Sequence, residues 1–312
     1  MNFRPLPVTL RQLQYVVAVA DARSFRRAAE LCRVSQPTLS AQVAELEAAI
    51  GVRVFDRDRR KVLVTPTGQE IVTRAKRILV DGNDLIEAAA RHKDPLRGRL
   101  RLGVIPTIAP YLLPELTRPL RRKFPHATLL WVEDKTSKLI ADLDTGELDG
   151  ALLALEAQIG DLEDEIVGTD AFVLAAPPDH PLSKNKGKLC PADLEGAKVL
   201  LLDDGHCFRD QVLSVCSQAK SEELEFRATS LGTLTQIVLA GAGVTLLPTI
   251  ALGTENRAGR LAIRKFTAPE PGRTVALVWR RGSALEPALR AIGSAMRDEY
   301  ERVVTRLSAR KN

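Results

Sequence analysis

The hydrophobic pattern changes period once along these 312 residues, at "KDPLRGRL" (Lys93 to Leu100), and that change limits what the chain can fold into. Before it, apolar side chains recur at helical spacing. "LRQLQYVVAVAD" carries them from Leu10 to Ala20, and "SFRRAAELCR" offers Ser24 as the N-cap of a second helix. After a short break, "SQPTLSAQVAELEAAIG" places Ser35 as a cap, Pro37 in the first turn and Gly51 beyond the last. Leu39, Val43, Leu46 and Ile50 of this helix are spaced to face a core. Two short helices joined by a few residues form a helix-turn-helix arrangement. "VRVFDRDRRKVLVTPTG" then reads as two short strands around a basic turn. Beyond Leu100 the pattern alternates. Strands are predicted in "RLRLGVI", "ATLLWVE", "DGALLAL", "FVLAAP", "AKVLLLD", "VTLLP" and "RTVALVWRR". Helices are predicted in "APYLLPELTRPLRRKFP", "SKLIADLDTGE" and "LGTLTQIVLAGAG", with a final helix after the last strand. Such alternation indicates parallel sheets covered by helices, whose ligands bind outside the strand ends or between lobes.

Between the two patterns, "GQEIVTRAKRILVDGNDLIEAAARHK" (Gly68 to Lys93) holds Ile71, Val72, Ala75, Ile78, Leu79, Leu85 and Ile86. That is a long helix with a narrow apolar stripe, suited to pairing with a second copy. Packing on its own domain is the alternative; length and position favour dimerisation. Pro95 and Gly98 end the helix and mark a hinge.

Charge is unevenly spread. The first 65 residues hold 11 Lys and Arg against 6 Asp and Glu, a balance of +5 out of +6 for the whole chain. This suggests an N-terminal nucleic-acid module joined to a nearly neutral domain. Charge alone leaves a basic surface without consequence equally open. The third helix breaks the tie: Gln36, Thr38, Ser40 and Gln42 can meet base edges. Arg57, Arg59, Arg60 and Lys61 are placed to touch phosphates as a wing. No run of 18 apolar residues exists, and the N-terminus lacks the stretch of a signal peptide. The expectation is a cytoplasmic protein without a membrane partner. Its four cysteines are then expected to be reduced, catalytic or sensing rather than bridged.

Two of those cysteines fall in "DDGHCFRDQVLSVC" (Asp203 to Cys216). Phe208, Val212, Val215 and Cys216 form one apolar helical face, so Cys216 is expected to be buried. Cys207 lies near the polar helix start, with His206 before it and Arg209 two residues on. A helix N-terminus and a nearby cation both favour thiolate. Free cysteine is also often a small hydrophobe, and from the residues alone two structural cysteines stay slightly ahead. Cys32 and Cys190 have no partner at useful spacing and read as bystanders.

"FRRAAELCRVSQPTLSAQVAELEAAIGVRVFDR" followed by "TPTGQE" resembles the DNA-binding end of LysR-type transcriptional regulators. "DGHCFRDQ…C", "GVIPTIAPYLLP", "FRATSLGTL" and "GRTVALVW" are similar to the peroxide-sensing members of that family, and the resemblance covers nearly the whole chain. It implies a winged helix-turn-helix over 8–65, a linker and dimerisation helix over 66–94 and a two-lobed, periplasmic-binding-protein-like α/β regulatory domain over 98–312. Lobe I is placed near 98–165 and 267–302, lobe II near 166–266. The implied DNA contacts are Arg26, Arg27, Ser35, Gln36, Pro37, Thr38, Ser40 and Gln42, with the basic wing. The implied partners are promoter DNA, RNA polymerase and further copies of the chain, usually as a tetramer.

The same resemblance makes Cys207 the peroxidatic and Cys216 the resolving cysteine. Around them it places Thr107, Thr136, His206, Arg209, Asp210 and Arg273 as pocket and support residues. Thr107 and Thr136 are hydroxyl donors, helix N-caps, or both. Hydrogen peroxide converts the thiolate to sulfenic acid, Cys216 traps it as a disulfide, and a cellular dithiol resets it. No metal or organic cofactor is required. The implied output is activation of antioxidant genes, not enzymatic turnover. Phe208 departs from the more usual leucine, and the residues before Leu10 are extra and receive no function. Two rivals compete: a regulator sensing a metabolite in the inter-lobe cleft, with unreactive cysteines, and a thiol peroxidase, against which the basic module argues.

Overall fold

The computed structural model describes residues 5–58, 61–90, 96, 98–157, 159–184, 187–217 and 222–309. The chain forms two compact units, one of residues 1–92 with 144–146, the other of 93–143 and 147–312.

In the first unit, α1 (Leu10–Ala22), α2 (Phe25–Leu31) and α3 (Gln36–Ile50) are followed by a hairpin of β1 (Phe55–Asp58) and β2 (Lys61–Val64), then by α4 (Pro66–Ala90). Each start has its local cause. The Thr9 hydroxyl accepts from the Gln12 backbone N–H, while the Gln12 side chain returns to the Thr9 N–H. Ser24 caps α2 and Ser35 caps α3, as expected. Gly51 ends α3 at φ 72°, a left-handed conformation that glycine adopts without strain. Leu39, Val43 and Leu46 pack into one core with Val16, Val19 and Phe55, while Ile50 is only partly buried. The Glu47 carboxylate accepts the backbone N–H groups of Val54 and Phe55 at 2.7 and 3.0 Å, which sets the hairpin against α3. Helix α4 divides its apolar stripe. Val72 and Ala75 are buried in the unit's own core, whereas Ile78, Leu85 and Ile86 are exposed. Packing on its own module therefore accounts for the first half of the stripe only. Residues 91–93 and Pro95 lie outside the described residues.

The second unit starts with β3 (Gly98–Val104), α5 (Ala109–Lys123), β4 (Ala127–Glu133), α6 (Thr136–Asp144), β5 (Gly150–Ala154) and β6 (Leu162–Ala176). It continues through α7 (Pro181–Lys184), β7 (Lys198–Leu202), α8 (Cys207–Ser217), β8 (Glu222–Ala228) and α9 (Leu231–Leu239). Then come β9 (Thr245–Pro248), α10 (Leu252–Glu255), β10 (Ala262–Lys265), β11 (Gly272–Arg280) and α11 (Glu286–Ala309). The seven-stranded sheet has the order β10-β6-β11-β5-β3-β4, with β9 also on β6. The sequence predicts parallel sheets, and the structure corrects that. β3 is parallel to β4 and β5, but β11 runs antiparallel to both β5 and β6, and β9 and β10 run antiparallel to β6. The sheet is mixed because β11 returns from the far end of the chain, and a hydrophobic alternation carries no direction.

Strand β6 is 15 residues long, of which only the apolar second half is predicted. Its first half, "LEDEIVGTD", pairs with β11; its second half pairs with β9 and β10. The strand therefore passes from one half of the sheet to the other at Asp170–Phe172. Opposite this point Gly272 lies so close that a Cβ would meet the Asp170 carbonyl oxygen at 2.9 Å, so only glycine fits.

Candidate functional site

On α3, Gln36, Pro37 and Thr38 are exposed, and Ser40 and Gln42 are half-buried. Ser35 is engaged in capping: its hydroxyl accepts the Thr38 N–H at 3.2 Å and lies 2.7 Å from the Thr38 hydroxyl. Gln42 donates to Glu45 at 2.7 Å. On α2, Arg26 pairs with Glu30 at 3.3 Å, and Arg27 is exposed. The helix thus offers short polar groups along its first turns, flanked by two arginines. Arg59 and Arg60 lie outside the described residues, and only the backbone of Arg57 and Lys61 is described, within β1 and β2.

The second unit assembles the other predicted residues around Cys207. Four elements contribute: the turn after β3 gives Thr107, the start of α6 gives Thr136, β11 gives Arg273, and α8 gives Cys207 at its first position. Cys207 is 9% exposed and Cys216 5% exposed, and both are free thiols. Phe208, Val212, Val215 and Cys216 are buried as one face, as their spacing predicts. Nine residues of α-helix rise about 13.5 Å and turn through about 900°, so the two sulfurs leave opposite sides of α8.

Burial is the largest influence on Cys207 and pushes its thiol up from the ordinary value. The Thr136 hydroxyl, the Arg273 guanidinium and the Phe208 backbone N–H pull it down, and the Asp210 carboxylate adds to the rise. Thr136 Oγ1 is buried and bonds no other group, so its hydroxyl is left to the thiol. The cation that acts on Cys207 is not the one next to it in sequence. Arg209 is drawn to Asp204, with Nε 3.1 Å from Oδ1. Two residues along a helix is a turn of about 200°, which points Arg209 away from Cys207. Arg273, 66 positions on in the chain, takes that place.

Arg273 and Asp170 are both fully buried and directly opposed across β11 and β6. Arg273 Nε and Nη2 donate to Asp170 Oδ2 at 3.1 and 3.0 Å. Its Nη1 donates to Thr107 Oγ1 at 2.7 Å and its Nη2 to the Thr107 carbonyl oxygen at 3.0 Å. The guanidinium lies 5.6 Å from the centre of the Phe208 ring, which in turn meets Phe172 edge-on at 5.1 Å. Burial raises the Asp170 carboxyl, and Arg273 with the backbone N–H groups of Ile250 and Thr249 opposes that rise. Thr107 is therefore not a helix cap. Ile108 precedes α5 without a side-chain cap, and Thr136 opens α6 from inside its first turn.

His206 is buried, and its imidazole is held below its ordinary value by burial and by Lys135, with Asp203 opposing. Lys135 Nζ reaches Asp203 Oδ2 at 3.4 Å and the Asp204 carbonyl oxygen at 2.6 Å, which pins the loop leading into α8. A shallow depression, too small to hold a water, lies against Thr107, Thr136, His206, Cys207 and Phe208. On its other side Cys207 borders a cleft of about 1080 Å³, which Asp210 and Gln211 also line. Neither polar atom of the Gln211 amide has a partner. Sequence reasoning missed Gln211, Asp170 and Lys135. Only Gln211 had a local signal, four residues beyond Cys207 on the same helical face. Cys32 follows α2 in the first unit, and Cys190 precedes the short 3-10 turn at Pro191–Leu194, whose Pro191 lines the cleft that Cys207 borders.

Among known proteins, residues 10–69 match the family described as bacterial regulatory helix-turn-helix protein, lysR family, and residues 93–301 match the LysR substrate binding domain. The chain is 40% identical over 303 residues to a hydrogen peroxide-inducible genes activator from Dickeya chrysanthemi, covering 97% of this chain and 99% of that protein. A cysteine-to-aspartate variant of full-length OxyR from Pseudomonas aeruginosa superposes with a TM-score of 0.75 at 37% identity, covering 93% of this chain and 95% of that one. A peroxide-bound cysteine-to-serine mutant of OxyR from Corynebacterium glutamicum gives 0.67 at 31% identity, covering 100% and 97%.

Proposed function

The chain belongs to the LysR family of bacterial transcriptional regulators, and from that premise we propose that it senses hydrogen peroxide through Cys207 and Cys216. It is a DNA-binding regulator rather than an enzyme. The observation that carries the sensing role is the placement of two free, buried thiols on one helix, with Cys207 beside the Arg273 cation and a Thr136 hydroxyl that bonds no other group.

The Cys207 thiolate attacks one peroxide oxygen. An S–O bond forms, the O–O bond breaks, and the departing oxygen leaves as hydroxide and becomes water with one proton. Cys216 thiolate then attacks the sulfenic sulfur, expelling a second water equivalent and forming the disulfide. Two thiols are oxidised and one peroxide is reduced to two waters. A disulfide needs Cα atoms within about 7 Å, so α8 must unwind for the bond to close. Unpacking Phe208, Val212 and Val215 costs about 1.5–3 kcal/mol each, to be offset by the bond and by new packing. That near balance suits a reversible switch, reset by a cellular dithiol.

In this reading α3 enters the major groove through Gln36, Thr38, Ser40 and Gln42, with Ser35 and Pro37 setting its first turn. Arg26, Arg27 and the basic hairpin turn, Arg57 to Lys61, meet phosphates. His206, Arg209 and Asp210 hold the start of α8 in its reduced form. The exposed Ile78, Leu85 and Ile86 of α4 pair with a second copy, in a cytoplasmic homodimer or tetramer that contacts RNA polymerase at promoters of antioxidant genes. Domain bounds of 8–65, 66–94 and 98–312 follow.

Intact-mass analysis after a brief equimolar peroxide exposure tests this. The expected result is a loss of two hydrogens with both cysteines protected from alkylation. An unchanged mass would instead favour a metabolite in the 1080 Å³ cleft. Peroxide consumption well beyond stoichiometry would favour a peroxidase.

A further inference from the structure

Asp170 lies 37 positions before Cys207 in sequence, yet it is linked to the reactive pocket by a fully buried chain of hydrogen bonds. Its Oδ2 accepts from two nitrogens of Arg273, and its Oδ1 accepts the Ile250 backbone N–H at 3.2 Å. The carboxylate is thus fixed from β6 and from the segment after β9. The guanidinium, held on that edge, has its Nη1 aimed at Thr107 Oγ1 at 2.7 Å. A guanidinium is always a donor, so the Thr107 oxygen acts here as acceptor. Its own proton must then be donated elsewhere, and the depression it lines together with Thr136, His206 and Cys207 lies beside it.

We propose that Asp170 is a positioning residue for peroxide reduction: it locks Arg273 so that Thr107 presents its O–H as a one-way donor to the oxygen leaving Cys207. The inference rests on the peroxide reading of Cys207. In the step itself sulfur gains an oxygen and loses two electrons, and the O–O bond breaks. The departing hydroxide takes a hydrogen bond from Thr107 before solvent supplies its proton. Without Asp170, Arg273 has a free edge and can turn, and the Thr107 hydroxyl can rotate to donate elsewhere. A fixed donor aimed at developing negative charge is worth much more than one that must reorient at the moment of reaction. Asp170 is itself a buried negative charge, so its removal takes away a charge that disfavours the thiolate. Loss of positioning and loss of thiolate therefore leave opposite signatures.

The test uses the full-length protein and two reagents for Cys207. Hydrogen peroxide needs a stabilised leaving oxygen; iodoacetamide needs only thiolate. Asp170→Asn is expected to slow the single-turnover peroxide step by about 10- to 100-fold. Its iodoacetamide rate, measured across pH, should hold or rise. Combined with Thr107→Val, it should be no slower than Thr107→Val alone, because the two act through one hydroxyl. An unchanged peroxide rate, equal losses with both reagents, or losses that multiply in the double variant would overturn the assignment. If Asp170→Asn fails to fold, Asp170→Glu keeps the charge while displacing it, and the same comparison applies. Wild-type protein that forms no sulfenic acid or disulfide with peroxide would fail the reading of Cys207 itself, before Asp170 is touched.

Discussion

Helices α3 and α8 are built alike and used in opposite ways. Each carries polar residues in its first turn, and each turns an apolar stripe to a core. On α3 the first turn faces outward, with Gln36, Pro37 and Thr38 exposed. On α8 the start is enclosed, with Cys207 and the preceding His206 buried against side chains from the turn after β3 and from the start of α6. An outward-facing turn gets its function from its own residues, because its partner arrives from outside. An enclosed one gets its function from whatever the fold brings to it. In the proposed reading the same helix start serves as a recognition surface in one place and as a guarded reactive centre in the other.

The sharpest way to break this contrast is to remove the guarded atom. Cys207→Ser should abolish the mass loss and any peroxide response, since a hydroxyl is not appreciably ionised near neutral pH. Cys216→Ser should stop at a trappable sulfenic acid on Cys207. Hydrogen exchange across 205–217 should rise on oxidation of the wild type and stay unchanged in both variants. Equal protection in oxidised and reduced wild type would mean that α8 does not unwind.

A smaller effect tests the outward-facing region. Glu at both Arg59 and Arg60 should weaken binding to all DNA sequences alike and lower the log–log salt slope by about 2, one counterion per lost phosphate contact. The peroxide rate of that variant should equal wild type. An unchanged slope would take the hairpin out of the DNA-binding surface.

The smallest effect is on pH. Burial holds the Cys207 thiol up, so its rate with peroxide should climb with pH until the raised value is passed. The folded state holds that proton more tightly than the unfolded chain. The corresponding stability is present below the unfolded value and lost as pH rises through the folded one. His206 has the opposite sign. Its folded value is lowered, so its contribution is present above the unfolded value, about 6.5, and is lost as pH falls through the folded one. His206→Asn should flatten the acid limb of a thermal-melting profile and leave the alkaline limb in place. An acid limb as steep as wild type would assign it to another group.

What could be read from the sequence follows the same contrast. The caps at Ser24 and Ser35, the Gly51 stop and the buried face of Cys216 are local, and local spacing determines them. The Arg273–Asp170 pair spans 103 positions, and no pattern within either strand announces it. Arg209 was the nearer cation on paper, but helical rotation carries it to Asp204. The first half of β6 was hidden because Glu163, Asp164 and Glu165 break the apolar run, with Glu165 held by Arg297 from α11. Resemblance supplied Thr107 and Thr136; only the assembled fold shows that the first is an acceptor for Arg273 and the second is left to the thiol.

Strand β6 also has a mechanical consequence. Fifteen residues of strand make a bar about 50 Å long. It is clamped on β11 along one arm and on β9 and β10 along the other, with the changeover at Asp170–Phe172. In the proposed switch, Phe172, edge-on to Phe208, is where a repacking of α8 would first reach the strand. A displacement applied there is small in distance but acts on the short arm of a lever. The far end at Leu162, ten positions away, would swing through a larger arc. In the proposed switch, a bond between the two sulfurs would thus be read out at a distance as a change of tilt, with no hinge loop required between them.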